Sequence, residues 1–441
     1  MKRRDFLRGL AGVSGAALLG GAGRASAASR PAVLLPDPST SGIEHIVVVI
    51  MENRSFDHLL GWLPSSDGRQ AGLRYDDLLG LPHGTHPLPP DYTGAGHADP
   101  DHSYIGGRIQ YNRGAMDRFL RLRLDGYPAG YYREADRPFF SALARHYTVL
   151  DRSFCSILGP TFPNRLFLHA AQTDRLDDSL SLTTLPTIWD RLAAAGVSHA
   201  YYFSNLPFVA LWGLQYLPIS RFYSQFLTDA ALGQLPAVSF VDPSFTIADN
   251  GSGNDDHPHA DIRKGDAFLA ETFLALASGP ASASTAFIVT YDEWGGFFDH
   301  VPPPRAAAAN LVDPDLVDGK ARLGFRVPTI VASPWTRATG DGPRVNSGIS
   351  DHTSILKLIE WRWELAPLTP RDGSNDVQNL AEVFDWNRPP ATDVPALPIP
   401  AAPPATAPAA TASATARPRS TEWQRLLDSG LLARWPLERV R

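Results

Sequence analysis

Four stretches of this chain carry side chains whose types and spacing could cleave a phosphoester. In the first, the apolar run from Ile46 to Met51 ends abruptly in Glu52-Asn53. In the second, the run from Ala286 to Thr290 leads through Tyr291 to Asp292-Glu293. A phosphoester resists hydrolysis because its anionic oxygens repel a nucleophile. A catalyst must neutralise that charge, activate an oxygen and stabilise the leaving group. Glu52, Asn53, Asp292 and Glu293 are oxygen ligands suited to a divalent metal that does the first task. The competing role for such acids is helix capping or ion pairing. Two pairs, each following a buried-strand pattern, favour the metal.

The third stretch is Gly159-Pro-Thr161-Phe-Pro-Asn164-Arg165. Pro160 and Pro163 bracket Thr161, and a helical pattern follows. The hydroxyl then stands at a helix N-terminus, where free N–H groups and the dipole favour an anion. Thr161 is the candidate nucleophile, and its plainer alternative is an N-cap. Asn164 and Arg165 could hold phosphate oxygens, Arg165 by a bidentate pair unless a structural salt bridge claims it. The fourth stretch, Asn254-Asp-Asp-His257-Pro-His259, sets two histidines and two aspartates in six residues. With 13 histidines in 441 residues, that cluster is denser than composition explains. His102 and His352 each follow an Asp able to tune their pKa or tautomer.

These residues need elements to bring them together. Short apolar runs at 46–50, 200–203, 238–241, 286–290 and 329–332 read as strands. Helical patterns lie between or after them, at 187–194, 265–277 and 353–363. The alternation predicts an α/β fold with a mostly parallel sheet flanked by helices, in a single large domain spanning 43–396. Open α/β sheets bind ligands beyond the carboxyl ends of their strands, so Glu52-Asn53 and Asp292-Glu293 can converge across about 240 residues. From 397 to 418 the chain turns to Pro, Ala and Thr, the composition of a linker. Beyond it, in 419–441, Trp423, Leu426, Leu427 and Leu431 have the spacing of a helix that docks back on the body.

The N-terminus stands apart from the fold. Arg3-Arg4, an apolar Gly/Ala-rich stretch and Ala25-Ser-Ala27 form the pattern of a twin-arginine export signal over residues 1–27. A membrane anchor is the alternative, but a span needs about 20 apolar residues and this stretch is shorter and rich in glycine. The expected partner is the twin-arginine machinery. The expected address is secreted, periplasmic or cell-wall associated. Peripheral membrane contact stays open, with no transmembrane span in the mature chain. Export of a folded protein suits one that acquires a metal before it leaves. The signal carries a surplus of four positive charges, so its removal takes the formal net charge from −6 to −10. Such an acidic chain is not a general nucleic-acid binder. The single cysteine, Cys155, excludes an internal disulfide and reads as a small core residue.

The motifs Glu52-Asn-Arg-Ser-Phe-Asp-His58, Gly159 to Arg165, Asp255-Asp-His257-Pro and Tyr291-Asp-Glu293 closely resemble the bacterial phosphoesterase family, in matching order from about Ile43 to Trp363. That family contains exported phospholipases C of the non-haemolytic type and a related acid phosphatase. The resemblance implies an alkaline-phosphatase-like core and a metal-bound hydroxyl nucleophile that forms a phospho-enzyme intermediate. It makes Thr161 the nucleophile, where the acid phosphatase has Ser. It makes Glu52, Asn53, Asp292, Glu293 and Thr161 metal ligands, although the acid phosphatase has Asp where Glu293 stands. His102, His257 and His352 would contact phosphate or protonate the leaving oxygen, and His259 would join Asn164 and Arg165 in binding substrate.

The expected activity is phospholipase C-like cleavage of phosphatidylcholine-type lipids to diacylglycerol and a phosphorylated head group. An acid-phosphatase-like monoesterase acting on small phosphoesters is the alternative. A non-catalytic ligand-binding protein on the same scaffold is a further one. The donor set admits Ca, Mg or Mn, and the nearby histidines keep Zn and Fe open. Trp62, Tyr104, Tyr111, Tyr131, Tyr132 and Trp294 are candidate walls of a cage for a quaternary ammonium group.

Overall fold

The run His45–Met51 forms the central strand because alternate side chains leave it on opposite faces and both sets are apolar. Val47, Val49 and Met51 enter the core on one face, while Ile46, Val48 and Ile50 enter the core on the other. A strand buried on both sides reads as a continuous hydrophobic run, as this one does. The computed structural model describes residues 34–247, 253–340, 342–403 and 421–437. The chain divides into two units, Met1–Leu34 and Leu35–Arg441. Of the first only Leu34 is described, and it is exposed. The expected export signal therefore lies outside the described residues, as does most of the expected linker.

In chain order the strands are β1 (His45–Met51), β2 (Arg74–Asp76), β3 (Pro82–Gly84), β4 (His86–Pro87), β5 (Gly130–Tyr131), β6 (Thr148–Leu150) and β7 (His199–Phe203). There follow β8 (Ser220–Phe222), β9 (Val238–Val241), β10 (Thr285–Tyr291), β11 (Arg305–Ala307), β12 (Lys320–Arg322), β13 (Ile330–Ala332) and β14 (Arg344–Asn346). Eight of these make one sheet in the order β14-β6-β13-β10-β1-β9-β7-β8. The strands from β8 to β10 pair in parallel, as the alternation of strand and helix predicts. The run at 329–332 departs from that expectation. It forms β13, antiparallel to both β10 and β6. Its Thr329 hydroxyl meets Thr290 at 3.0 Å and Ser153 at 2.9 Å, side by side with the end of β10.

The helices are α1 (Phe56–Leu60), α2 (Tyr104–Tyr111), α3 (Pro138–His146), α4 (Thr161–Ala170), α5 (Ile188–Ala194), α6 (Tyr223–Leu232), α7 (Ile262–Ala277), α8 (His352–Arg362), α9 (Pro370–Gly373) and α10 (Glu422–Asp428). Apolar residues of α3, α6 and α7 cover one face of the sheet, and those of α4, α5, α8 and α10 cover the other. The result is a three-layer α/β/α arrangement. None of the described helices is long and apolar enough to cross a membrane.

Register fixes what matters for chemistry. Ile50 stands opposite Thr290 and Met51 opposite Tyr291 in the parallel pairing of β1 with β10. The residues after both strands therefore emerge side by side at the carboxyl edge of the sheet. On the other flank of β1, β9 delivers Asp242 to the same edge.

Candidate active site

Two backbone contacts lock the strand ends together. Asp292 N–H donates to the Met51 carbonyl at 3.1 Å, and Asn53 N–H donates to Asp292 Oδ1 at 3.0 Å. Asn53 takes φ of 57°, a left-handed conformation that Asn tolerates better than most residues. The turn after Glu293 packs against it so closely that a Cβ on Gly295 would lie 2.0 Å from the Asn53 carbonyl oxygen. Only glycine fits there.

Thr161 is the first residue of α4, and its hydroxyl lies 3.4 Å from Asn53 Oδ1. Pro160 precedes it without a side-chain cap. Asp178 takes that role by accepting from Phe162 N–H at 2.8 Å. Glu52, Asn53, Thr161, Asp292 and Glu293 are all fully buried. The five ligands expected from the sequence thus gather at the ends of β1 and β10 and the start of α4.

Arg165 does different work from the phosphate binding expected of it. Its Nε donates to Glu52 Oε1 at 2.7 Å and to Asp292 Oδ2 at 3.1 Å, and its Nη1 donates to Asp242 Oδ1 at 2.9 Å. Nη2 reaches the Ile50 carbonyl at 3.2 Å. The guanidinium therefore ties together the ends of β1, β9 and β10, and its edges are spent on the protein. Asn164 is likewise corrected. It accepts from Ile157 N–H at 3.1 Å and donates to the carbonyls of Ile157, Gly159 and Pro160. It shapes the loop that presents Thr161 rather than reaching for substrate.

The histidines come from three separate elements. His102 precedes the N-cap of α2, and its Nδ1 lies 3.0 Å from the Pro100 carbonyl. Burial alone would lower its pKa, but the carboxylates of Glu293, Asp99 and Glu422 outweigh that and raise it to about 10. Its ring meets that of His257 edge-on, with centroids 6.3 Å apart. His257 Nδ1 faces the Pro258 carbonyl, and its Nε2 lies 3.6 Å from Glu422 Oε1. His352, at the start of α8, places Nε2 3.0 Å from the Tyr291 carbonyl, and burial lowers its pKa. His259 sits buried in the same loop as His257.

The site holds more negative charge than its one arginine offsets. Burial pushes the Glu52 carboxyl well above the usual carboxylate range; Arg165 opposes the shift, and Asp292 and Glu422 reinforce it. Glu293 moves the same way, through burial opposed by His102. Glu293 Oε1 and Asn53 Nδ2 are buried without a hydrogen-bond partner among the described residues. Orphaned buried polar atoms are rare in folded proteins. An oxygen-rich, over-charged cluster with an unused acceptor fits a divalent cation, and the donor set is of the kind that holds one.

Sequence reasoning missed two neighbours, Asp178 and Glu422, and the contacts of two more, Asp242 and Trp423. Asp242 was legible as an acid following a strand, but its tie to Arg165 was not. Asp178 lies in a loop with no pattern, and burial with Glu422 beside it raises its pKa to about 7. Glu422 and Trp423 arrive on α10. The Trp423 indole donates to Glu52 Oε2 at 3.1 Å and stacks on Phe245 at 3.6 Å between centroids. A buried Trp was foreseeable from the helical spacing there; its polar contact was not. Of the proposed aromatic cage, Tyr104 and Tyr111 already carry the guanidiniums of Arg108 and Arg322 on their faces. Trp294 is fully buried, edge-on to Phe325.

Residues 43–366 match the model of the Phosphoesterase family. The chain is 32% identical to the non-specific phospholipase C6 of Arabidopsis thaliana over 395 residues, which cover 80% of this chain and 74% of that protein. It is also 32% identical to phospholipase C A of Mycobacterium tuberculosis over 468 aligned positions, covering 90% of this chain and 87% of the relative. Among solved structures it is similar to the phosphonate monoester hydrolase of Agrobacterium radiobacter, with a TM-score of 0.39 at 12% identity over 78% of each chain.

Proposed function

The chain belongs to the phosphoesterase family and is a hydrolase of phosphoester bonds; within that family we propose a metal-dependent phospholipase C-type reaction with Thr161 as nucleophile. The observation that carries the reading is the Thr161 hydroxyl, 3.4 Å from Asn53 Oδ1 at the first turn of α4, beside a cluster of carboxylates with more charge than Arg165 offsets. Glu52, Asn53, Asp292, Glu293 and Thr161 would hold the cation. When bound, it neutralises phosphate charge and lowers the pKa of the hydroxyl.

Thr161 gives up its hydroxyl proton to water and Oγ attacks phosphorus; the Oγ–P bond forms as the bond from phosphorus to the glycerol oxygen breaks. The positive end of the α4 dipole favours the negative charge that gathers there. His102, kept protonated by the acids around it, gives its proton to the departing alkoxide, which leaves as diacylglycerol. Water then attacks phosphorus as it passes a proton to the now neutral His102, the Oγ–P bond breaks to release the phosphorylated head group, and Thr161 takes a proton back from solvent. Arg165 and Asn164 act by positioning: one fixes the acids, the other fixes the loop carrying Thr161. Burial of the cluster excludes bulk water and strengthens each of these interactions.

Rates on phosphatidylcholine and on a simple aryl phosphate test the reading. Faster turnover of the lipid, lost in Thr161→Val, supports it; a clear preference for the aryl phosphate makes the protein a monoesterase instead. We also propose export through the twin-arginine pathway with cleavage after Ala27. An N-terminus beginning elsewhere in protein recovered from outside the cell overturns that.

A further inference from the structure

His257 and Glu422 face each other in the buried site without a hydrogen bond between them. His257 Nδ1 faces the Pro258 carbonyl, which leaves Nε2 as the ring nitrogen turned to Glu422. Nε2 points at Glu422 Oε1 across 3.6 Å, and neither atom has a hydrogen-bond partner among the described residues. Both polar atoms lie on buried residues, 2% and 6% exposed. The third member is Glu52. One ligand atom from each of Glu52, His257 and Glu422 lies within 4.8 Å of the others. A metal-bound imidazole commonly donates its other ring N–H to a backbone carbonyl, which is the pattern at His257. With bonds of about 2.1 Å, tetrahedral donors stand about 3.4 Å apart, close to the separation of His257 and Glu422.

We propose that Glu52, His257 and Glu422 form a second divalent-cation site, beside the one at Asn53, Thr161, Asp292 and Glu293, with Glu52 shared by both. The site is completed by α10, which Trp423 anchors through its bond to Glu52 and its stack on Phe245. Two carboxylates and one imidazole suit a borderline cation such as Zn or Mn. A cation there neutralises the charge that Arg165 leaves over. It also places a second positive centre on the His102 side of the reacting phosphate, a proposal that rests on the hydrolase reading above.

The test is equilibrium dialysis of the full chain against Mn²⁺, with electron paramagnetic resonance to detect paired ions. Two ions per chain, falling to one in both Glu422→Gln and His257→Gln, support the proposal. Circular dichroism and thermal melting of the two variants check that they stay folded; because they sit on different elements, loss of the same ion from both is not a folding defect. A single ion in the full chain, or two retained in Glu422→Gln, overturns it. Asp292→Asn separates the sites: it should lose the other ion and keep this one. Hydrolysis with only one bound ion sinks the second site and leaves the function standing; two bound ions without hydrolysis do the reverse.

Discussion

Two buried arginines organise acids in this molecule, and they do so to opposite ends. Arg326 faces Asp57 and Asp299 at 3.0 Å each, with His300 2.5 Å from Asp57. There the accounts close. Asp57 also accepts from Arg69 N–H and His300 N–H, and Asp299 also accepts from Val301 N–H and Asp57 N–H. A third carboxylate, Asp67, lies 3.1 Å from His300 Nε2 and is itself paired with Arg152, and the oxygens of Asp57 and Asp299 all have donors. Arg165 instead faces three acids, Glu52, Asp242 and Asp292, with Glu293 and Glu422 close enough to raise or be raised by their charge. Around it Glu293 Oε1, Glu422 Oε1, Asn53 Nδ2, His257 Nε2 and His352 Nδ1 lack partners among the described residues. A buried ion cluster that satisfies itself is scaffold; one that leaves acceptors over is built for something that arrives later.

The contrast can be broken most sharply at Thr161. Thr161→Val should lower kcat on phosphatidylcholine by on the order of 10⁴-fold or more while circular dichroism and melting stay near those of the parent. A variant that turns over normally ends the reading of this cluster as a site.

The arginines themselves give the next largest effects. Arg165→Met and Arg326→Met should each cost about 3–5 kcal/mol in urea unfolding, since each strands buried carboxylates. Added Mn²⁺ should stabilise Arg326→Met by no more than it stabilises the unaltered chain, and Arg165→Met by more, because there it also replaces the missing positive charge. Equal recovery in both would erase the distinction between them. A smaller effect is expected in the unaltered chain. At a hundredfold excess over its dissociation constant, a divalent ion that binds only the folded state adds about 2.7 kcal/mol. That increment should vanish with a chelator and shrink in Asp292→Asn.

The smallest effect belongs to the closed cluster. Burial, opposed by Arg326 and reinforced by Asp57, raises the Asp299 carboxyl from 3.8 to about 6. The folded chain then holds a proton that the unfolded chain has released. Stability from this group is full below about 4, falls as pH rises to about 6, and is flat above. Melting temperatures of Asp299→Asn across that window should lose this slope.

Much of the framework was legible because burial writes itself into sequence. The runs at 46–50, 200–203, 238–241 and 286–290 reappear as β1, β7, β9 and β10 with shifts of at most one residue at either end. Both faces of these strands are covered, so apolar residues leave no ambiguity. The edge strands β8 and β14, and β6 beside the latter, were not legible, since three residues each carry too little pattern to separate a strand from a loop. The direction of β13 was invisible for another reason: a short apolar run has no polarity, and only pairing reveals it. In the site, Glu52, Asn53, Asp292 and Glu293 could be found because strand ends are predictable. The duty of Arg165 could not, because a motif residue near phosphate chemistry and a structural tie look alike until their partners are seen. Glu422 carried no local signal whatever.

The bond from Trp423 to Glu52 joins residues 371 positions apart. Translation runs from the N-terminus, so α10 leaves the ribosome after everything else that surrounds Thr161. Until it does, Glu52 lacks its indole donor, Phe245 lacks its stacked ring, and His257 faces no carboxylate from Glu422. A phosphoester hydrolase assembled in this order keeps its site incomplete until its last helix has folded onto it.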